Sequence, residues 1–236
     1  MLSKDESERI SGSAARTENP HQRTDEKRCV IFVRRIRVRH VVVMTLVILG
    51  VSNAYLILAF QALERERANA LGMLLIAAEG ALSESTHILN LTVERRRIDF
   101  ELWDVLQQDL VWQSRIFPAI ASLDARHSPF WVQIHDSLVS LERAVNNVKQ
   151  LYAGTFVLVL NLTDTQATQI ALVRDLLVVI GTNAFPAHII LGANPEVVVS
   201  DESMMRAAEA ANYLNSKVED LQECLSPAHI LLGAYG

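Results

Sequence analysis

The chain has 236 residues, half of them hydrophobic, with only 9 Gly and 6 Pro, a balance that suits long helices packed on one another. Its net charge of −5 conceals an asymmetry: residues 1–40 hold ten Lys/Arg against six Asp/Glu, whereas the chain from Glu64 onward holds twelve against twenty-one. A basic head and an acidic body on either side of an uncharged stretch suit a membrane protein and argue against nucleic-acid binding by the body.

Residues 1–26 are rich in Ser, Glu, Arg, Asp and Thr and poor in large apolar side chains. Such a segment buries too little to order itself, so disorder is expected. The basic run that follows belongs on anionic lipid headgroups, where each charge contributes about 1 kcal/mol. Residues 1–40 are thus read as a disordered, basic cytoplasmic tail.

Residues 41–60, VVVMTLVILGVSNAYLILAF, carry no charge. As a helix they extend about 30 Å, the thickness of the hydrocarbon core of a bilayer. Asn53 is tolerable there, as a passenger or as a contact between paired spans. The apolar run is too long for a cleaved signal peptide, and it continues as QALERERANALGMLL, good helix with no cleavage site. A signal-anchor helix over 41–62 is expected. Lys27, Arg28, Arg34, Arg35, Arg37 and Arg39 flank it with no acid among them, and the positive-inside rule puts the N-terminus in the cytoplasm. Localisation in the cell membrane follows, as a single-pass protein with its C-terminal domain, 63–236, outside the cytoplasm.

No Gly or Pro interrupts Val51 to Leu71, so the span is expected to run on as one helix to about Val93. The body shows a 3.5-residue apolar period. One seam is Leu71, Leu75, Ala78, Leu82, Ser85, Leu89 and Thr92. A second helix is expected over 94–117, with Phe100, Trp103, Leu106 and Leu110, closed by Pro118. Trp131, Ile134, Leu138, Leu141, Val145, Val148 and Tyr152 form the clearest seam. Leu158, Leu162, Thr165, Gln169, Leu172, Leu176 and Val179 form a weaker one. Met204, Ala207, Ala211, Leu214, Val218, Leu221 and Leu225 form the last, behind Ser200 as N-cap and Asp201 and Glu202 in the first turn. The fold class expected is all-α: a single N-terminal transmembrane helix continuous with an extracytoplasmic antiparallel bundle of four to five helices, packed as in a coiled coil.

Signatures for phosphate binding, zinc proteolysis, nucleophilic serine and paired cysteines are absent. Glu84 and His87 match half of a di-iron ligand pattern, but the second candidate pair, Asp124 and His127, falls in an expected loop. Neither metal nor cofactor is expected. Arg95, Arg96 and Arg97 stand where the chain must turn and are the candidate contact for an anion or carboxylate ligand. Asn90 and Asn161 begin Asn-Leu-Thr sequons on the expected outer side, usable for N-glycosylation in an archaeal or eukaryotic host. Trp103, Trp112 and Trp131 are read as core anchors. Cys29 and Cys224 lie on opposite sides of the span and cannot pair within one chain. A domain without an internal disulfide must be held by its core, which suits a prokaryotic envelope protein.

Without a recognisable site, the expected function is non-enzymatic: a membrane-anchored sensor-like or partner-docking module. Its layout resembles the input half of chemoreceptors and sensor kinases, in architecture and not in motif. Such receptors cross the membrane again, and Ala228–Gly236 is too short to do so. The alternatives are a structural or assembly subunit of a larger membrane complex and, behind it, a membrane-bound enzyme. Residues 170–191 are apolar on nearly all sides, so the expected partners are the lipid membrane and either a second copy of the chain or other membrane subunits, and not nucleic acid.

Overall fold

The computed structural model describes residues 20–153, 158–185 and 189–226, with side chains from Arg39 onward. Five helices account for most of it, so the all-α expectation stands at the level of class. The chain divides into two compact units, Met1–Phe60 and Gln61–Gly236.

Helix α1, Pro20–Arg95, contributes to both units. In the first unit every residue from Arg39 to Phe60 is exposed, although Val41–Phe60 contains no charged side chain. Thr45 turns its hydroxyl back to the carbonyl of Val41 at 2.8 Å, so even this polar group is satisfied by its own helix.

The second unit begins with the remainder of α1. Its seam residues Leu75, Ala78, Leu82, Ser85, Leu89 and Thr92 are all buried, and they face the unit's own core. The helix stops at Arg96, whose φ of +49° is left-handed and whose N–H reaches the carbonyl of Val93 at 3.1 Å. A non-glycine residue in that conformation is uncommon, and it sharply redirects the chain. Strand β1, Arg97–Asp99, follows and pairs antiparallel with β2, Val159–Asn161, so that Arg97 lies opposite Asn161. Nothing in the apolar periodicity signals so short a pair.

Helix α2, Phe100–Leu123, is capped by the Asp99 carboxylate on the N–H of Glu101. The expected stop at Pro118 does not occur: Pro118 lies inside the helix. Proline removes one backbone donor, but Ile116, Phe117, Ile120 and Ala121 on either side of it are buried, and their packing carries the helix one turn further. Trp112 is also corrected: it is 43% exposed, because the core stripe of α2 runs through Trp103, Leu106, Leu110, Gln113, Phe117 and Ile120.

Helix α3, Ser128–Tyr152, opens with Pro129 in its first turn. It packs back along α2, from the tilted Phe117–Trp131 ring pair to the Asp104–Lys149 ion pair. Helix α4, Asp164–Ala184, begins later than expected, and its buried stripe is Gln166, Ala167, Ile170, Val173, Leu177, Ile180 and Ala184. The expected seam is one residue out of register. The reciprocal capping box of Thr163 and Gln166 sets the start and hence the face, leaving Leu158 on the approach to β2. Strands β3, Ile189–Ile190, and β4, Glu196–Val197, form a second antiparallel pair. Helix α5, Asp201–Cys224, buries its expected seam from Met204 to Leu221.

The β3–β4 turn is tied to α1 at two residues. Gly72 leaves room for it, since a Cβ there would stand 2.6 Å from Leu191 Cδ2. One turn earlier, Asn69 donates to the carbonyl of Gly192 at 2.9 Å and accepts from its N–H at 2.8 Å, with Gly192 at a φ of +124°. The amide side chain thus pairs with a peptide group as another strand would.

Candidate functional site

The second unit carries an open groove of about 510 Å³ between α1 and α4, within the range of small-molecule sites. Glu79, Ser83, Thr86, His87 and Asn90 line it from α1, and Arg174, Val178 and Thr182 line it from α4, over a floor of Leu82, Leu177 and Gly181. The two helices approach closely at Gly181, where an added Cβ would come within 3.2 Å of Leu82 Cδ2.

Arg174 is the fixed charge of the groove. Its Nε and Nη2 donate to Asp175 Oδ1 at 2.8 and 2.7 Å, and its Nη1 donates to Asn90 Oδ1 at 2.9 Å. The arginine is 24% exposed and Asp175 is 62% exposed. A guanidinium clamped on two sides loses little freedom on meeting a ligand. The Asn90 amide donates in turn to Glu94 at 2.6 Å.

A second cluster joins the α2–α3 loop to α5. His127 is buried, with Nδ1 2.8 Å from Asp124 Oδ2 and Nε2 2.7 Å from Asp201 Oδ1. Trp131 Nε1 donates to Asp124 Oδ2 at 2.9 Å, and Arg126 reaches Asp201 Oδ2 at 2.5 Å. The hydrogen bond from His127, then that from Arg126, holds the Asp201 carboxyl below the usual carboxylate range. An imidazole oriented by a carboxylate has the form of a catalytic base, but Nε2, the nitrogen such a base presents to its substrate, is occupied by Asp201. The cluster is built as a staple between elements.

A third polar position lies between α1 and α2. Gln113 Nε2 donates to Ser85 Oγ at 3.1 Å, while Gln113 Oε1 and Asp109 Oδ2, one turn apart on α2, are buried acceptors without a donor among the described residues. Burial first, and then the charge of Glu84, raise the Asp109 carboxyl above its usual range.

The residues singled out in the sequence are dispersed. Arg95, Arg96 and Arg97 are exposed and occupy the end of α1, the left-handed link and the start of β1, with Arg96 paired to Asp164 at 2.7 Å. Asn161 is exposed on β2, and Asn90 is half-buried in the groove. His87 is in the groove wall and Glu84 is not among its lining residues. Asp124 and His127 hydrogen-bond to each other in the loop. Among the described residues no three His, Cys, Asp or Glu are grouped to hold a metal. The Cys224 thiol is free and raised by burial, and Cys29 has no described side chain. Sequence reasoning missed Arg174 as a site residue, because its contact with Asn90 spans 84 positions and leaves no local pattern.

Comparison with protein-family models, with curated proteins and with solved structures finds no match.

Proposed function

We propose that this is a single-pass membrane protein with a cytoplasmic N-terminus, whose helical body lies outside the cytoplasm as an antiparallel bundle and acts by binding. The observation that carries this reading is Val41–Phe60: twenty consecutive uncharged residues, all exposed, behind a basic flank. In water such a surface is costly at roughly 25 cal/mol per Å² of apolar area, and a bilayer removes the cost. Heptad seams on α3 and α5, both buried along their length, support the bundle. The α1–α4 groove is the place at which a ligand or partner is met. Alkaline extraction of membranes tests the anchor: the full chain should remain in the pellet, and a chain lacking 41–60 should be released. Release of the full chain would sink the reading.

A second reading, a structural or assembly subunit of a larger membrane complex, has its own support. Leu158, Val198 and Met73 are large apolar side chains exposed on the second unit. Purification in mild detergent separates the two, since stoichiometric partner proteins favour the subunit.

A further inference from the structure

We propose that the α1–α4 groove binds a small aliphatic monocarboxylate, with the carboxylate on Arg174 and the chain lying along α4 towards Gly181. The proposal rests on the binding role assigned to this groove and names its ligand class.

The polar end is set by Arg174. A guanidinium has five N–H groups; Asp175 takes two and Asn90 a third, leaving two without an acceptor among the described residues. Two N–H groups on one planar cation match the two oxygens of a carboxylate. Asp175 partly offsets the charge, but it is largely exposed, where solvent screens it.

The apolar end follows from the helix period. Leu177, Val178 and Gly181 stand three, four and seven residues beyond Arg174 and therefore share its face of α4, so the distance from Arg174 to Gly181 along the axis is about 10 Å. Leu82 closes the floor opposite, with Gly181 held bare of a side chain by the 3.2 Å approach. A chain of five or six carbons fits within that length from its head on Arg174 and stops short of Glu79. That acid lines the far end, about 16 Å from Asn90 along α1, and would repel a second carboxylate, so a monoacid fits better than a diacid.

The test is calorimetric titration of the full chain in lipid nanodiscs with hexanoate, and with hexan-1-ol and hexylamine as tail-matched controls for partition into lipid. Hexanoate should give saturable heat at millimolar concentration, while the two controls give only partition. Arg174→Met, which keeps the apolar stem, should weaken hexanoate at least tenfold. Thr182→Trp, which fills the groove from its rim, should abolish binding while far-UV melting stays that of the parent. No saturable heat from hexanoate would overturn the proposal. So would equal binding by hexan-1-ol, or unchanged binding by a folded Arg174→Met. None of these results bears on alkaline extraction, so failure of the ligand class is distinguishable from failure of the membrane reading.

Discussion

Val41–Phe60 and α4 are both rich in apolar residues and opposite in surroundings. Both are long and apolar enough to cross a membrane, yet the apolar window in α1 has no buried residue whereas a third of that in α4 is buried. Helix α4 sorts its side chains: Ile170, Val173, Leu177, Ile180 and Ala184 enter the core, while Arg174, Asp175, Thr182 and Asn183 lie off that stripe. Val178 and Val179 are its only large apolar residues left exposed, at 46% and 41%. The stretch in α1 has no polar face to sort. An apolar helix whose few polar residues share one side suits a core, and the proposed span, without such a side, is the contrasting case.

The largest effects break the contrast directly. Leu177→Asp places an unpaired charge in the core and should cost several kcal/mol, lowering the far-UV melting temperature of the body. Leu56→Asp, in the other stretch, should leave that melting unmoved and reduce the membrane-inserted fraction, at about 3 kcal/mol for a charge at mid-span. Exchange of the two phenotypes would invert the assignment.

Next in size is Gly181→Leu, which overpacks the approach to Leu82 and should cost about 1–3 kcal/mol, read by urea unfolding. Gly50 has nothing within 4 Å of an added Cβ, so Gly50→Leu should not change the stability of the body. Thr163→Ala removes one half of the capping box of α4 and should cost about 1 kcal/mol in the same measurement.

The smallest effects are electrostatic, and they sharpen the contrast because Val41–Phe60 holds no carboxylate, whereas the body holds two shifted ones. Asp109 is raised, so the fold favours its protonated form and is penalised once the group ionises. Asp109→Asn should therefore add stability at neutral pH, by less than about 1 kcal/mol given solvent screening, and the gain should vanish as pH falls through the carboxylate range. Asp201 is lowered, so its contribution is present at neutral pH and lost on acidification. Asp201→Asn should destabilise at neutral pH and become silent in acid. Thermal melts of both variants across pH check the opposite signs.

Much of this fold was legible because helices announce themselves locally. Every seam residue from Trp131 to Val148 is buried, as are those from Met204 to Leu225. The α4 seam was misread by one position because two phases of an apolar segment look alike, and only Thr163 with Gln166, three residues apart, distinguishes them. Pro118 misled because packing overrode a local breaker. The β1–β2 pair and the Asn69–Gly192 tie join residues 60 to 123 positions apart, beyond the reach of periodicity. For the same reason the sequence offered the adjacent Arg95, Arg96 and Arg97 as a site, whereas the charge held in a groove is Arg174.

The membrane assignment of Val41–Phe60 is the claim on which the rest of the account depends. Its most direct test is a reporter fused after Gly236 that is active only outside the cytoplasm, expressed from the full chain and assayed in intact cells. The account predicts an active reporter, silenced when Lys27, Arg28, Arg34, Arg35, Arg37 and Arg39 are replaced by Glu, because the positive flank sets the direction of insertion. A reporter active only in the cytoplasm with the natural flank would contradict it.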